Sequence, residues 1–175
     1  MGNMKIGLLS GTFDPVHFGH ITIASLAQDE LELDNIWLMP EEKPRGKQNV
    51  TPYQHRLAML TIVVQDSPYL EVIEVDDSEH SVETLRSLSA MSTNDYYILV
   101  GGDVADSINS WKDIDEIRKL AKIVIIGRDS QKADITLQHP ASSKDIRKQL
   151  AEDKNPPYLD PRVLEYIHEH ELYQN

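Results

Sequence analysis

The chain contains no cysteine. This absence excludes a disulfide-stapled scaffold, a zinc site built on thiolates and a thiol nucleophile. Long apolar runs are also missing, since the longest, at residues 98–100 and 123–127, are far too short to span a bilayer. The first residues lack a signal-peptide pattern, because only a brief apolar run precedes a glycine-rich turn. We therefore expect a cytoplasmic protein with no membrane partner.

Basic side chains are scarce as well. Seventeen Lys and Arg residues stand against 29 Asp and Glu residues, which gives a net charge of −12. An acidic body repels phosphate unless basic residues gather locally, so we expect no nucleic-acid partner. The length of 175 residues, with 40% hydrophobic and 26% charged residues, predicts one globular domain over residues 1–175. Whether copies of the chain form a homo-oligomer stays open.

Apolar strand-like runs alternate with amphipathic helix-like stretches along the chain. The predicted strands are residues 5–10, 35–39, 70–75, 96–101, 122–127 and 135–138. The predicted helices are residues 20–31, 52–64, 81–88, 114–120, 143–152 and 161–170, the last after a loop that contains two prolines. Such alternation predicts an α/β fold with a single doubly wound parallel sheet, covered by helices on both faces.

Finer details of the fold follow from composition. The two most apolar runs, residues 96–101 and 122–127, are predicted to be the central strands. Thr51 and Pro52 are predicted as the cap and first residue of a helix, and Trp111 is expected in a polar loop. In a doubly wound sheet, ligands bind beyond the carboxyl ends of the strands, so the polar residues after each strand are the candidates for a site.

The exit of the first strand reads SGTFDPVHFGH. Gly11 allows a close approach of the backbone to a phosphate or a base. His17 and His20 lie near a predicted helix N-terminus, which attracts anions, and nearby negative charge would favour their protonated forms. Two alternatives are that one histidine caps the helix while the other packs, or that the pair binds a metal, although no third ligand stands at a recognised spacing.

The exit of the last strand reads ASSKDIR, residues 141–147. Ser142 or Ser143 can cap the following helix, and Ser142 with Asp145 resembles a capping box with a shortened acid. A helix N-terminus, two hydroxyls and Arg147 can together hold an anion. The simpler alternative is a well-capped helix without chemistry.

Together, the two motifs resemble the signatures HxGH and ISSTxIR of the HxGH nucleotidyltransferase superfamily. The second signature departs from the superfamily at Ala141 and at Lys144, where Thr is usual. Further segments, covering almost the whole chain, resemble the bacterial nicotinate mononucleotide adenylyltransferases. They are Pro40, residues 43–47 (with Gly46 where His is common), 56–60, 81–85, 101–117 and 163–173.

This resemblance implies a Rossmann-like nucleotidyltransferase fold and a set of roles. The implied catalytic residues are His17, His20 and Arg147. The implied ATP-binding residues are Gly11, Thr12, Phe13, His17, His20, Gly101, Asp103 (on the ribose), Arg128 (near the adenine), Ser142, Ser143, Ile146 and Arg147. For the mononucleotide, the resemblance implies a basic cluster with Arg45 and Lys47, and Trp111 stacked on the pyridine ring. The backbone N–H groups of Leu85, next to Thr84, and of Lys112 would hold the pyridine carboxylate.

The implied reaction transfers AMP from ATP to nicotinate mononucleotide, releases pyrophosphate and forms the dinucleotide precursor of NAD. Mg²⁺ would be held mainly by the ATP phosphates, with no metal site on the protein. The alternatives are the same reaction on nicotinamide mononucleotide, another phosphate monoester such as phosphopantetheine, and a nucleotide-binding regulator with weakened catalysis. The regulator is considered because the sequence departs from the family pattern at Gly46, at Lys144 and at residues 81–82.

Overall fold

A computed structural model describes residues 2–44, 46–75, 81–127 and 132–174. The strands are β1 (Lys5–Gly11), β2 (Asn35–Pro40), β3 (Leu70–Val72), β4 (Asp95–Gly101), β5 (Ala121–Gly127) and β6 (Ile135–Thr136). The α-helices are α1 (Phe18–Leu31), α2 (Tyr53–Val64), α3 (Ser81–Met91), α4 (Ile114–Leu120), α5 (Ser143–Ala151) and α6 (Pro161–Glu169). None of these helices is long and apolar enough to cross a membrane.

The strands form one parallel sheet in the order β3-β2-β1-β4-β5-β6. The chain moves outward from β1 to β3 and then returns to β4 on the other side of β1. The order therefore reverses between β1 and β4, and a crevice opens there beyond the strand ends. The prediction of a parallel doubly wound sheet is confirmed.

Two hydrophobic clusters cover the two faces of the sheet, because alternate residues of a strand point to opposite sides. Leu99 of β4 belongs to the larger cluster, with α1, α2, α5 and α6. Ile98 of the same strand packs against the smaller cluster, which holds Leu85 of α3 and Ile117 of α4. The helices are thus layered on both sides of the sheet.

The predicted central strands are only half right. The middle pair of the six strands is β1 and β4, whereas β5 lies next to the short edge strand β6. A strand covered on both faces is apolar whether it lies at the centre or one place from the edge, so composition does not distinguish the two positions.

Three local predictions are corrected by the structure. Pro52 is the N-cap of α2 rather than its first residue, and the cap makes no side-chain hydrogen bond. The predicted strands 70–75 and 135–138 shorten to β3 and β6, because both lie at sheet edges with one neighbour each. The predicted polar loop before Trp111 is a 3₁₀ helix, Gly102–Ser110.

Candidate active site

The two histidines of the first motif form a reciprocal cap at the start of α1. His17 is the N-cap residue, and its Nδ1 accepts the N–H of Gly19 at 3.1 Å. The Nδ1 of His20 accepts the N–H of His17 at 3.2 Å. Because each Nδ1 acts as an acceptor, each neutral ring carries its proton on Nε2. The capping alternative is thus correct in part, because both histidines cap the helix and neither only packs; these caps do not use the Nε2–H of either ring.

The glycine between the histidines makes this geometry fit. The rings of His17 and His20 stack with centroids 3.9 Å apart. A Cβ atom at Gly19 would lie 2.8 Å from Cε1 of His17, closer than real Cβ contacts. Any larger residue at Gly19 would displace the imidazole, so the HxGH spacing has a steric cause.

Both imidazoles are neutral at pH 7 in the unliganded protein. Burial, helped by the nearby His139 ring, lowers the pKa of His17 to about 4. Burial also holds the pKa of His20 well below its usual range, with further contributions from His17 and Lys47. Negative charge close to the rings, such as that of a bound anionic ligand, would raise both pKa values and favour the expected protonated forms.

The loop after β1 is joined to the start of α5. Nη1 of Arg147 donates to the carbonyl of Asp14 at 2.5 Å and lies 3.9 Å from its Oδ2. The hydroxyl of Ser143 donates to the carbonyl of Pro15 at 3.1 Å. Asp14 also accepts the hydroxyl of Tyr173 on Oδ1 at 2.7 Å. The bond between Arg147 and Asp14 joins residues 133 positions apart and holds the two sequence motifs side by side.

A second loop, residues 41–52, reaches the same strand end. Nζ of Lys47 donates to Oγ1 of Thr12 at 2.7 Å, which brings one predicted mononucleotide ligand to the site. Arg56, of which 1% is exposed, donates from Nη1 to the carbonyl of Thr12 at 2.7 Å. Its other nitrogens donate to the carbonyls of Thr51 and Glu42 at 2.9 and 3.1 Å. A buried guanidinium therefore holds this loop against the site.

The end of β4 presents Asp103 to the crevice. Asp103 lies in the first turn of the 3₁₀ helix and is exposed. A Cβ atom at Gly101 would lie 2.5 Å from its Oδ1, so a side chain at residue 101 would push the carboxylate aside. This close approach explains why a glycine precedes the acid.

The start of α5 is capped as predicted. Oγ of Ser142, the N-cap residue, accepts the N–H of Asp145 at 3.4 Å. Ile146 is 1% exposed and belongs to the larger hydrophobic cluster, so only its backbone is available to a ligand. The N-terminus of α5 opens toward the β1 exit, since Ser143 is bonded to Pro15 there.

The histidine pair, the start of the 3₁₀ helix and the cap of α5 border one cleft of about 730 Å³, whereas Thr12, Lys47, Ser143 and Arg147 are not among the residues that line it. It is lined by four predicted residues, His17, His20, Asp103 and Ser142. The other lining residues, which include the ionisable Lys132 and His139, were not predicted. For His139 a signal existed, because a histidine follows the predicted last strand and stands three residues before the helix cap.

The other predicted mononucleotide ligands lie elsewhere. Trp111 is half-buried and packs against the smaller hydrophobic cluster, which contains Leu85. Thr84 is half-buried in α3, and Lys112 is exposed after the 3₁₀ helix. Among the residues described, none of these four lines the cleft around the histidines. Arg45 and Arg128 lie outside the described residues.

Residues 8–149 match the family described as Cytidylyltransferase-like. A Coprothermobacter proteolyticus protein described as "Probable nicotinate-nucleotide adenylyltransferase" is 33% identical over 97% of this chain and 95% of its own length. A Geobacillus kaustophilus protein of the same description is 35% identical over 97% of this chain and 86% of its own length. The chain belongs to the nicotinate-nucleotide adenylyltransferase family.

Family membership confirms the resemblance carried by the two motifs. The fold agrees with solved structures as well. The structure of Plasmodium falciparum nicotinic acid mononucleotide adenylyltransferase complexed with NaAD has a TM-score of 0.80 with this chain, at 20% identity and 98% coverage of both chains. The structure of the same enzyme complexed with APC has a TM-score of 0.77. The Rossmann-like nucleotidyltransferase fold is confirmed.

Proposed function

We propose that this chain transfers the adenylyl group of ATP to the 5′-phosphate of nicotinate mononucleotide, forming nicotinate adenine dinucleotide and pyrophosphate in NAD biosynthesis. One observation carries the proposal. A single cleft collects the capped histidine pair after β1, Asp103 after β4 and the capped N-terminus of α5. The names of the relatives agree with this reaction.

The reaction requires positioning more than proton transfer. A 5′-phosphate oxygen of the mononucleotide attacks the α-phosphorus of ATP in line. The new P–O bond forms as the bond from the α-phosphorus to the bridging oxygen breaks, and its electron pair leaves with pyrophosphate. The nucleophile is already an anion at neutral pH, so no strong base is needed. Neutralising charge on the phosphate oxygens is the main task of the protein.

His17 and His20 suit this task. Each neutral ring donates from Nε2, and the charge of a bound triphosphate raises its pKa toward the cationic form. We assign these donors to α- and β-phosphate oxygens. Arg147, with Ser142, Ser143 and the N-terminus of α5, is assigned to the departing pyrophosphate. Gly11, Thr12, Phe13, Gly101, the backbone of Ile146, and Arg128 complete the proposed ATP site, with Asp103 on the ribose.

The mononucleotide is assigned to the region beyond Lys47, and Arg45 of the same basic cluster is a further proposed ligand. We propose that the Trp111 ring stacks on the pyridine ring, because Trp111 packs against the hydrophobic cluster that contains Leu85. Backbone N–H groups of Leu85 and Lys112, next to Thr84, are proposed for the pyridine carboxylate. Leu85 is the fifth residue of α3, where helical geometry pairs its N–H with the carbonyl of Ser81. This role therefore requires the first turn of α3 to open when substrate binds.

ATP is proposed to enter as its Mg²⁺ complex. Within the described ranges, no group of three or more His, Asp or Glu side chains is arranged to hold a metal ion. We propose that the ion is held mainly by the phosphate oxygens of ATP. A single domain in the cytoplasm is part of the same proposal.

The test is pyrophosphate release from ATP and nicotinate mononucleotide by the wild-type protein and by His20→Ala. We expect wild-type turnover and a fall in kcat of about 100- to 1,000-fold in the variant, because one donor to the developing charge is lost. His168→Ala, at an exposed histidine on α6, is the matched control and should retain wild-type kcat. Near-normal turnover by His20→Ala with intact folding would refute the role of the pair.

The same assay separates the alternatives. Nicotinamide mononucleotide and phosphopantetheine replace nicotinate mononucleotide in parallel reactions. A preference for either one would assign a different substrate. Nucleotide binding without pyrophosphate release from any of the three would favour the regulator.

A further inference from the structure

His139 is a third imidazole at the same cleft. Its Nδ1 accepts the N–H of Ala141 at 3.1 Å. It therefore has the tautomer of His17 and His20, with the proton of the neutral ring on Nε2. In all three rings a backbone N–H holds the inner nitrogen, and all three side chains line the cleft.

Its distance from His17 follows from the glycine between the first two histidines. The Cβ position of Gly19 is 2.8 Å from Cε1 of His17 and 3.3 Å from Nδ1 of His139. The two rings are thus within about 6 Å of each other. The lowered pKa of His17 agrees, since His139 is one of its causes.

The position of His139 between two helix starts gives it a chemical role. The first residue of α1 directly follows His17, and the cap of α5 comes three residues after His139. The N-terminus of α5 attracts anions through its dipole and the N–H groups of its first residues, whereas the first three N–H groups of α1 are paired with His17 and Tyr158. His139 is therefore close to any anion that contacts both the His17 ring and the start of α5.

We propose that His139 donates a hydrogen bond from Nε2 to the polyphosphate chain of ATP, bridging the contacts of the histidine pair and those of α5. This inference rests on the proposed function for the identity of the nucleotide. The competing interpretation is structural: His139 holds the turn before α5 through Ala141 and packs edge-on against Tyr158, with ring centroids 5.5 Å apart.

Three variants separate the two interpretations. His139→Ala removes both nitrogens. His139→Asn retains an acceptor at the position of Nδ1, and His139→Gln retains a donor near the position of Nε2. Titration with α,β-methylene ATP measures the polyphosphate contact, and titration with adenosine measures a site without phosphates.

We expect His139→Ala and His139→Asn to weaken binding of the ATP analogue about tenfold or more, and His139→Gln to restore it to within about threefold of wild type. Adenosine binding should change less than twofold in all three variants. In the turnover assay the loss should fall mainly on KM for ATP. His168→Ala should bind both ligands as wild type does, and thermal melting should establish that each variant is folded.

Four results would overturn the proposal. They are rescue by Asn but not by Gln, an equal loss of adenosine binding, near-normal binding of the analogue by His139→Ala, and failure of the wild type to bind the analogue. A wild type that binds the analogue but releases no pyrophosphate would refute the proposed function alone, because the binding titrations still test His139. If His139→Ala does not fold, the contrast between Asn and Gln decides.

Discussion

The buried histidine at the start of α1 links the site to acid stability. His17 is 7% exposed, and its pKa is about 4 in the folded protein against 6.5 for the free side chain. Between these values the unfolded chain binds more protons than the folded one, so the free energy of unfolding rises with pH. This contribution is complete above pH 6.5 and is lost as the pH falls toward 4. Its upper bound is about 3 kcal/mol, from 1.4 kcal/mol per pKa unit.

Replacing His17 by Asn tests this account, because Asn is a good N-cap that does not titrate. Urea denaturation between pH 4 and pH 7 should show a shallower loss of stability for His17→Asn than for wild type. Carboxylates titrate in both proteins, so the difference between the two curves isolates the imidazole. Parallel curves would contradict the burial of a neutral ring.

At the scale of elements, Arg56 of α2 holds two loops together through hydrogen bonds. Its three hydrogen bonds to carbonyls join the end of β1 to residues 41–52. Arg56→Met would remove the donor to the buried bond with Thr12 and to two partly buried bonds with Thr51 and Glu42, and we expect the free energy of unfolding to fall by about 3–5 kcal/mol. Urea denaturation checks this. The matched control, Arg86→Met, removes an exposed ion pair with Glu116 and should have a much smaller effect. An equal loss of stability in Arg56→Met and Arg86→Met would contradict this role of Arg56.

Most elements could be predicted from the sequence, because buried strands and amphipathic helices leave periodic patterns. The 3₁₀ helix before Trp111 was missed, because its sequence GDVADSINS is rich in the glycine, aspartate and serine residues that are typical of loops. The start of α2 was misplaced because a Thr-Pro pair is compatible with either cap position. The histidine pair and Asp103 could be found from the sequence because they directly follow predicted strands. The hydrogen bonds of Arg56 and Tyr173 could not, because they join residues that are 44 and 159 positions apart. Such contacts depend on the folded topology and leave no local signal.

At the scale of the whole molecule, the C-terminal segment closes onto the first motif. The hydroxyl of Tyr173 donates to Asp14, whose carbonyl in turn holds Arg147. Burial and the nearby Asp14 carboxylate raise the pKa of Tyr173, so the hydroxyl remains a donor at any working pH. The end of the chain thus positions an arginine assigned to the leaving pyrophosphate.

Tyr173→Phe removes only that hydroxyl. We expect about 1 kcal/mol less stability in urea denaturation, the usual value of one hydrogen bond. We also expect a three- to tenfold lower kcat in the pyrophosphate assay, because the Asp14 carboxylate, 3.9 Å from Nη1 of Arg147, would be held less firmly beside the guanidinium. Tyr69→Phe is the control, since the Tyr69 hydroxyl makes no hydrogen bond within the described residues. A loss of stability in Tyr173→Phe with unchanged kcat would limit the C-terminal segment to a structural role, whereas the expected loss of kcat in the folded variant would support its role in positioning Arg147.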